Sequence, residues 1–266
     1  MKQFLFDHGT LLVAIYGVVQ VWIIALWKRY LKSGNIEVYH SGLIELGHSN
    51  FGPSLAVNGT FLAKHKEVFI SEVHLVITRQ KDNSTHKLNW TAFRPPVLNI
   101  GKQSHVQIEI PSGFIVKPDS PHRYHIFFSD NMVQRELNPI LIALQKEWHK
   151  YLQDNTLHIT GLMKTGKAVN IVREEIFHND FSKVSLTYQT AWDLIRRTVF
   201  WEPGTYTVIM DISTDKKAKK YSSRWSFAVD SESFENFRLN SISTIAEICL
   251  LEYQYYNAYV PFQPPT

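Results

Sequence analysis

Ser71–Arg79 reads SEVHLVITR, and this stretch decides the fold class. Val73, Leu75 and Ile77 fall on one face of an extended chain, with His74, Val76 and Thr78 on the other. The period of two predicts a strand with one buried face. The same pattern continues outward. Lys81-Asp82-Asn83-Ser84 is a turn cluster, after which Leu88 and Trp90 alternate again. Val106, Ile108 and Ile110 alternate before the turn Pro111-Ser112-Gly113, and Tyr124, Ile126 and Phe128 alternate beyond it. Turn signals at intervals of roughly 8–15 residues mark an antiparallel sandwich. Residues 36–130 are therefore read as a β-sandwich of immunoglobulin-like size. The likeness is architectural only. Cys249 is the sole cysteine, so the disulfide of antibody domains is impossible, as is a zinc site of two-plus-two cysteines.

Beyond residue 130 the period changes. Asn138 suits an N-cap and Pro139 the first helical position. Ile140, Leu141, Leu144, Trp148, Tyr151 and Leu152 follow at helical spacing, so residues 131–155 are read as a bridging helix. Residues 156–266 are read as a second β-rich unit, with a single shared sandwich as the alternative. In it Val184, Leu186 and Tyr188 alternate, and Ala191–Val199 forms a short helix. Tyr206, Val208, Met210 and Ile212 pair across a lysine-rich loop with the strand of Tyr221, Ser223, Trp225, Phe227 and Val229. Ser231 or Ser233 caps a last helix whose apolar stripe is Ile242, Ile245, Ala246, Cys249, Tyr253 and Tyr256. The tail Pro261–Thr266 reads as loose.

The N-terminal segment is of another kind. Thr10–Trp27 contains no charge, and Gln20 is its only strongly polar residue. At 1.5 Å per residue it reaches roughly 27 Å, close to the ~30 Å hydrocarbon core of a bilayer. Trp22 and Trp27 suit a headgroup boundary. A cleaved signal peptide fits poorly: the apolar run is long, and Lys28, Arg29, Tyr30 and Lys32 follow where small residues are needed. Residues 1–35 are thus read as an anchor with a membrane helix at 10–27. Lys28, Arg29 and Lys32 against Lys2 place the body in the cytoplasm by the positive-inside rule. Asn58-Gly-Thr60, Asn83-Ser-Thr85 and Asn89-Trp-Thr91 match a glycosylation pattern that would matter only with the body in a eukaryotic lumen.

The fold class expected is mainly β with added helices, an N-terminal transmembrane helix preceding immunoglobulin-like antiparallel β-sandwich units. At 44% hydrophobic and 20% charged the chain has ample core material. A formal charge of +4 spread over 266 residues does not point to nucleic acid, and none is expected as partner.

Chemistry is sparse. Gly161-Leu-Met-Lys-Thr-Gly166-Lys167 has phosphate-loop spacing, but Ala168 stands where a hydroxyl should bind magnesium. The preceding Leu157-His-Ile-Thr is too polar for a buried parallel strand, so Lys164–Lys167 is read as a turn between two strands. Twelve histidines show no metal grammar; His122 and His125 should point to opposite faces of a strand. Glu174 and Glu175, as strand neighbours, diverge and read as solvated. Cys249 reads as a small core residue. Lys216, Lys217, Lys219 and Lys220 form the densest basic cluster, a solvated hairpin tip or a contact with an anionic surface. No catalytic, cofactor-binding or metal-binding residue is assigned. The function expected is noncatalytic: a membrane-tethered module that binds a protein partner or scaffolds an assembly. The alternatives are an anchored hydrolase with a dispersed site and a nucleotide-binding protein using Gly161–Lys167.

Overall fold

The computed structural model describes residues 13, 16–27, 34–93, 98–100, 103–105, 109–164, 166–214 and 220–264. Its first strands are β1 (Asn35–Ser49), β2 (Gly52–Lys64), β3 (Val68–Arg79), β4 (Thr85–Phe93), the short pair β5 (Leu98–Ile100) and β6 (Gln103–His105), β7 (Phe114–Val116) and β8 (His122–Ser129). The later strands are β9 (Gly204–Thr214), β10 (Lys220–Val229) and β11 (Ala258–Pro261). Residues 16–26 form helix α1. The others are α2 (Asn131–Asp154), α3 (Thr156–Met163), α4 (Val169–Ile176), a wide turn of helix at Phe177–Phe181, α5 (Ser182–Val184), α6 (Leu186–Arg197) and α7 (Ser231–Ile248).

The fold is mainly antiparallel β with helices. Nine strands make one sheet in the order β10-β9-β3-β4-β8-β2-β1-β11, with β7 against β3. The sheet nearly closes. Ser226 of β10 and Gln263, just past β11, exchange both backbone hydrogen bonds, at 3.0 and 2.8 Å. The strands of both predicted β units share this sheet, because β9 pairs with β3 from Ile70/Thr214 to Arg79/Tyr206. Alternation marks a strand and its buried face but not its neighbour, which is why only the shared alternative anticipates this join.

The inner face holds the main core. Val73, Leu75 and Ile77 are fully buried, with Leu88, Ile126, Phe128, Tyr206, Val208, Met210, Ile212 and Phe227, while Trp225 is buried to 2% exposure. In the hairpin Trp225 lies opposite Val208 and Phe227 opposite Tyr206. One expected face fails: Ile110 is 84% exposed. Its alternation partners Val106 and Ile108 lie outside the described residues.

Gly52–Val57 is buried on both faces, whereas the rest of β2 alternates. Ala56 and Ser54 point away from the main core yet are buried, because helices cover the outside of the sheet there. These helices have a core of their own. Leu137, Leu141, Leu144 and Trp148 of α2 pack with Val172, Ile176, Phe177, Phe181, Ala191, Ile195, Ile245, Ala246 and Cys249.

Four sequence expectations are corrected here. The bridging helix starts at Asn131, not near Asn138: Asp130 accepts from the backbone N–H of Met132 (2.8 Å) and Val133 (3.3 Å), and Pro139 lies inside the helix. Residues 156–163 and 169–197, apart from Ser185, are helical where strands were expected, while the short helix expected at Ala191–Val199 falls largely within α6. Val184 and Leu186 alternate with nothing, being 70% and 76% exposed, while Tyr188, Ala191 and Ile195 follow the helical period after the Ser185 cap. Asp230, not a serine, caps α7, accepting from Ser233 N–H at 2.7 Å. The tail is fixed through residue 264: β11 pairs with β1, Phe262 stacks on His40, and Ser226 Oγ donates to the Pro264 carbonyl at 2.8 Å.

Among the described residues no helix is long and apolar enough to cross a membrane. Residues 16–26 at 1.5 Å each reach roughly 17 Å, short of a bilayer core. The remainder of the expected 10–27 span, apart from Val13 and Trp27, lies outside the described residues. On α1 the apolar side chains Tyr16 to Trp27 are between 46% and 66% exposed, on all sides of the helix.

Candidate functional site

Two concavities and one part-buried hydrogen-bond chain are the candidates for a site. The first concavity is a groove of about 550 Å³ between α6 and α7. On α6, Ala191 and Ile195 face the helical core, which turns Trp192 and Arg196 toward the groove. On α7 the matching positions are Phe234, Arg238, Leu239 and Ile242. Leu239 and Ile242 are each 46% exposed, so the stripe expected to place Ile242 in the core instead turns it into this groove. The guanidinium of Arg196 lies 5.8 Å from the Trp192 ring centre, and that of Arg238 lies 5.9 Å from the Phe234 ring. Glu235 holds Arg238 Nη1 at 3.1 Å. At the floor, Ser241 is buried and its hydroxyl has no partner among the described residues.

The second is a cavity of about 700 Å³ where the helices meet the sheet. Its wall is built from several elements. Two extra residues bulge from β1 between Ser41 and Glu45, and beyond them β1 carries Glu45 and His48 to the cavity. A second bulge in β4 between Trp90 and Ala92 leaves Thr91 unpaired with β8, and its hydroxyl donates to the Phe127 carbonyl at 3.2 Å. Glu247 comes from the end of α7. Tyr255 and Asn257 come from the extended segment after it, which the buried side chains of Asn240 and Ser243 hold to α7 through the backbone of Tyr256 and Gln254. Tyr255 Oη donates to Glu247 at 2.7 Å, and Asn257 Nδ2 to Glu45 at 2.8 Å. Burial pushes His48 down to about 4 and raises Tyr255 above the usual phenol range.

The part-buried chain runs between strands, and its Tyr124 also lines a third cavity, of about 730 Å³, beside His122 and His125. His40 Nε2 is 2.8 Å from Ser223 Oγ, and its Nδ1 is 3.1 Å from Tyr124 Oη. A serine beside an imidazole oriented by a third group is the arrangement that activates a nucleophile. Trp225 and Phe262 close over the ring, with centroids at 4.3 and 4.9 Å, and neither His40 nor Ser223 lines either concavity. Burial holds His40 down to about 4.

The residues singled out from sequence lie elsewhere. Trp22 and Trp27 are exposed on or just past α1. Lys28, Arg29, Lys32, Lys216, Lys217 and Lys219 lie outside the described residues, and Lys220 opens β10. Gly161–Lys167 joins two helices, not two strands: Gly161 is on α3, and Lys167 binds both carboxylate oxygens of Glu175 at 2.7 Å. The strand that a phosphate loop needs before it is replaced by a helix. Glu174 and Glu175 are on α4, and Glu174 accepts from the Glu252 N–H at 3.3 Å. Cys249 is a core residue whose thiol burial pushes up to about 12. Sequence reading missed Glu45, His48 and Glu247, which come from distant elements. The groove left one trace, a helical stripe on α7 broader than one core contact needs.

Comparison with protein-family models finds no match, and comparison with curated proteins finds none either.

Proposed function

We propose that the chain is a membrane-tethered, noncatalytic module whose folded body binds a protein partner in the α6–α7 groove. The groove carries the reading. Trp and Arg are enriched at binding hot spots and Phe at interfaces, and here all three line one concavity beside half-exposed Leu239 and Ile242. The buried Ser241 hydroxyl offers an occupant one directional hydrogen bond. A partner helix with an apolar stripe fits a groove between two helices.

The tether is proposed at residues 10–27. Its support is that α1 is apolar all round, with the Gln20 amide donating to Tyr16 Oη at 3.1 Å. A helix in lipid needs its polar side chains satisfied in this internal way. Lys28, Arg29 and Lys32 argue for a cytoplasmic body. The lysine cluster at 216–220 gains a role from topology. β9 ends at Thr214, and Tyr221 beside it on β10 donates to the Gly34 carbonyl at 2.6 Å. Thr214 and Tyr221 thus lie at the same end of the sheet as Gly34, which supports a headgroup-contacting role for Lys216, Lys217, Lys219 and Lys220.

The test places a photo-crosslinking residue at Leu239, at Ile242 and, as control, at Lys87 on β4, in the full chain in native membranes. The reading expects a discrete protein adduct at the two groove positions and none at Lys87. Trp192→Ala should reduce that adduct at least tenfold. Equal adducts at Lys87, or none at Leu239 and Ile242, would refute it. The hydrolase reading has one specific observation, the Ser223–His40–Tyr124 chain. A fluorophosphonate probe decides it: labelling that disappears in Ser223→Ala would favour the hydrolase.

A further inference from the structure

The charges around the α6–α7 groove do not cancel. Four charged side chains line it: Arg196 from α6, Glu202 from the segment after α6, and Glu235 and Arg238 from α7. Both carboxylates are engaged within the chain. Arg79 of β3 holds Glu202 at 2.9 Å, and Arg238 holds Glu235 at 3.1 Å. Arg79 is itself fixed by Asp82 at 2.6 Å. That leaves Arg196. Among the described residues no carboxylate pairs with it, although Asp193 lies one turn back on the same helix.

The Arg196 guanidinium is set over the Trp192 ring, 5.8 Å from its centre. Contact with a ring restrains a long side chain, and a guanidinium so held loses less rotamer freedom on meeting a carboxylate. Arg196 is exposed, and its planar fork matches a carboxylate with two parallel N–H bonds. On the other wall Arg238 makes the corresponding contact with Phe234, but Glu235 already meets its charge. The groove therefore presents one uncompensated cation, on its α6 side, beside the apolar Val199, Leu239 and Ile242. A lone guanidinium suits a single carboxylate. Phosphoryl groups are recognised by clusters of arginine, and the second arginine here is taken.

We propose that the occupant of the groove is an acidic amphipathic helix of a protein partner, whose apolar stripe packs on Leu239 and Ile242 and whose Asp or Glu, at the edge of that stripe, pairs with Arg196. This rests on the reading of the groove as a protein-binding site and adds a charge requirement to it. A helix with Lys or Arg at that place is turned away by like charge.

The experiment uses the full chain in native membranes with benzoylphenylalanine at Leu239, and reads the yield of the protein adduct. Arg196→Gln should lower the yield about fivefold and Arg196→Glu about twentyfold. Lys87→Glu makes the same change of net charge outside the groove and should leave the yield within about twofold. Raising sodium chloride from about 0.05 M to about 0.5 M should weaken the parent's adduct several-fold and leave that of Arg196→Gln unchanged. A merely structural role for Arg196 would not remove the salt dependence. Thermal unfolding of each variant should match the parent, since Arg196 and Lys87 are exposed; the salt series on the parent needs no variant. An adduct in Arg196→Glu equal to the parent's, or a parent adduct that salt does not weaken, overturns the acidic occupant while the groove remains a protein-binding site. No protein adduct in the parent, or a lipid adduct in its place, overturns both.

Discussion

Burial lowers four histidines, His40, His48, His86 and His122, and the first two most strongly. Burial holds His40 and His48 down to about 4, from an ordinary value of 6.5. Between those values the unfolded chain takes up protons that the folded chain refuses. Stability is therefore full above about pH 6.5 and falls as the pH drops toward 4. By pH 5 each imidazole should account for a loss of at most about 2 kcal/mol. Urea unfolding at pH 7.5 and 5.0 checks this, and His48→Gln should reduce the stability difference by at most about 2 kcal/mol, its own share. A midpoint rising on acidification would contradict it. Trp225 is the residue whose role was read most directly from sequence, since its alternation with Phe227 fixes the face. Trp225→Ala should cost about 3–5 kcal/mol in the same assay. A near-neutral result would mean that the hairpin register is slipped by one residue. The histidines escaped such reading. Nothing local to His40 or His48 announces that Ser223 and Thr198, 183 and 150 residues away, will be their partners.

At the scale of elements, long period-two strands were predicted well and short helices badly. β3 and the β9–β10 hairpin carry enough repeats for the period to be unambiguous. The stretch 156–197 is broken into helices of 8, 8, 3 and 12 residues with a wide turn among them. Few helical turns are left to establish a period of 3.6. Pro139 misplaced the start of α2 because proline favours a first turn, yet here Asp130 caps the helix well before it. The last strand was missed for a different reason. A four-residue segment followed by the proline-rich end Pro261–Thr266 looks like a loose end unless its partner is known. Its closure of the sheet is testable. Gln263→Pro removes the N–H that donates to Ser226, and Phe262→Ala removes the ring over His40 and Trp225. The double change should cost about 2–4 kcal/mol, one lost backbone bond plus a truncated aromatic. Amide exchange of β10 should accelerate far more than that of β4, in the middle of the sheet. Uniform acceleration would place the closing contact elsewhere.

At the scale of the molecule, the order of chain segments explains the two cores. The helices between β8 and β9 and the helix between β10 and β11 leave the sheet and return to it, so both insertions meet over β1 and β2. The β2 run Gly-Pro-Ser-Leu-Ala-Val at 52–57 uses small residues on the side that the helices cover, which allows burial on both faces. The cavity of Glu45, His48 and Glu247 is the seam between these cores and exists only when both have formed. None of this architecture uses α1, whose large apolar side chains from Tyr16 to Leu26 are 46% exposed or more. Residues 36–266 should therefore fold without residues 1–35. The anchorless body should be soluble and monomeric and unfold in a single cooperative step by tryptophan fluorescence and circular dichroism. Its weak attachment to membranes should depend on charge alone. Vesicles containing phosphatidylserine should sediment with it at low salt, and changing Lys216, Lys217, Lys219 and Lys220 to Ser should release it while shifting stability by no more than roughly 0.5 kcal/mol per site. The full chain, by contrast, should resist carbonate extraction, and Val18→Arg with Ile23→Arg should free it, at roughly 2.5–3.5 kcal/mol per central charge. An anchorless body that aggregates would tie the core to the tether. A full chain released by carbonate would remove the membrane from the proposal and leave the groove to be judged alone.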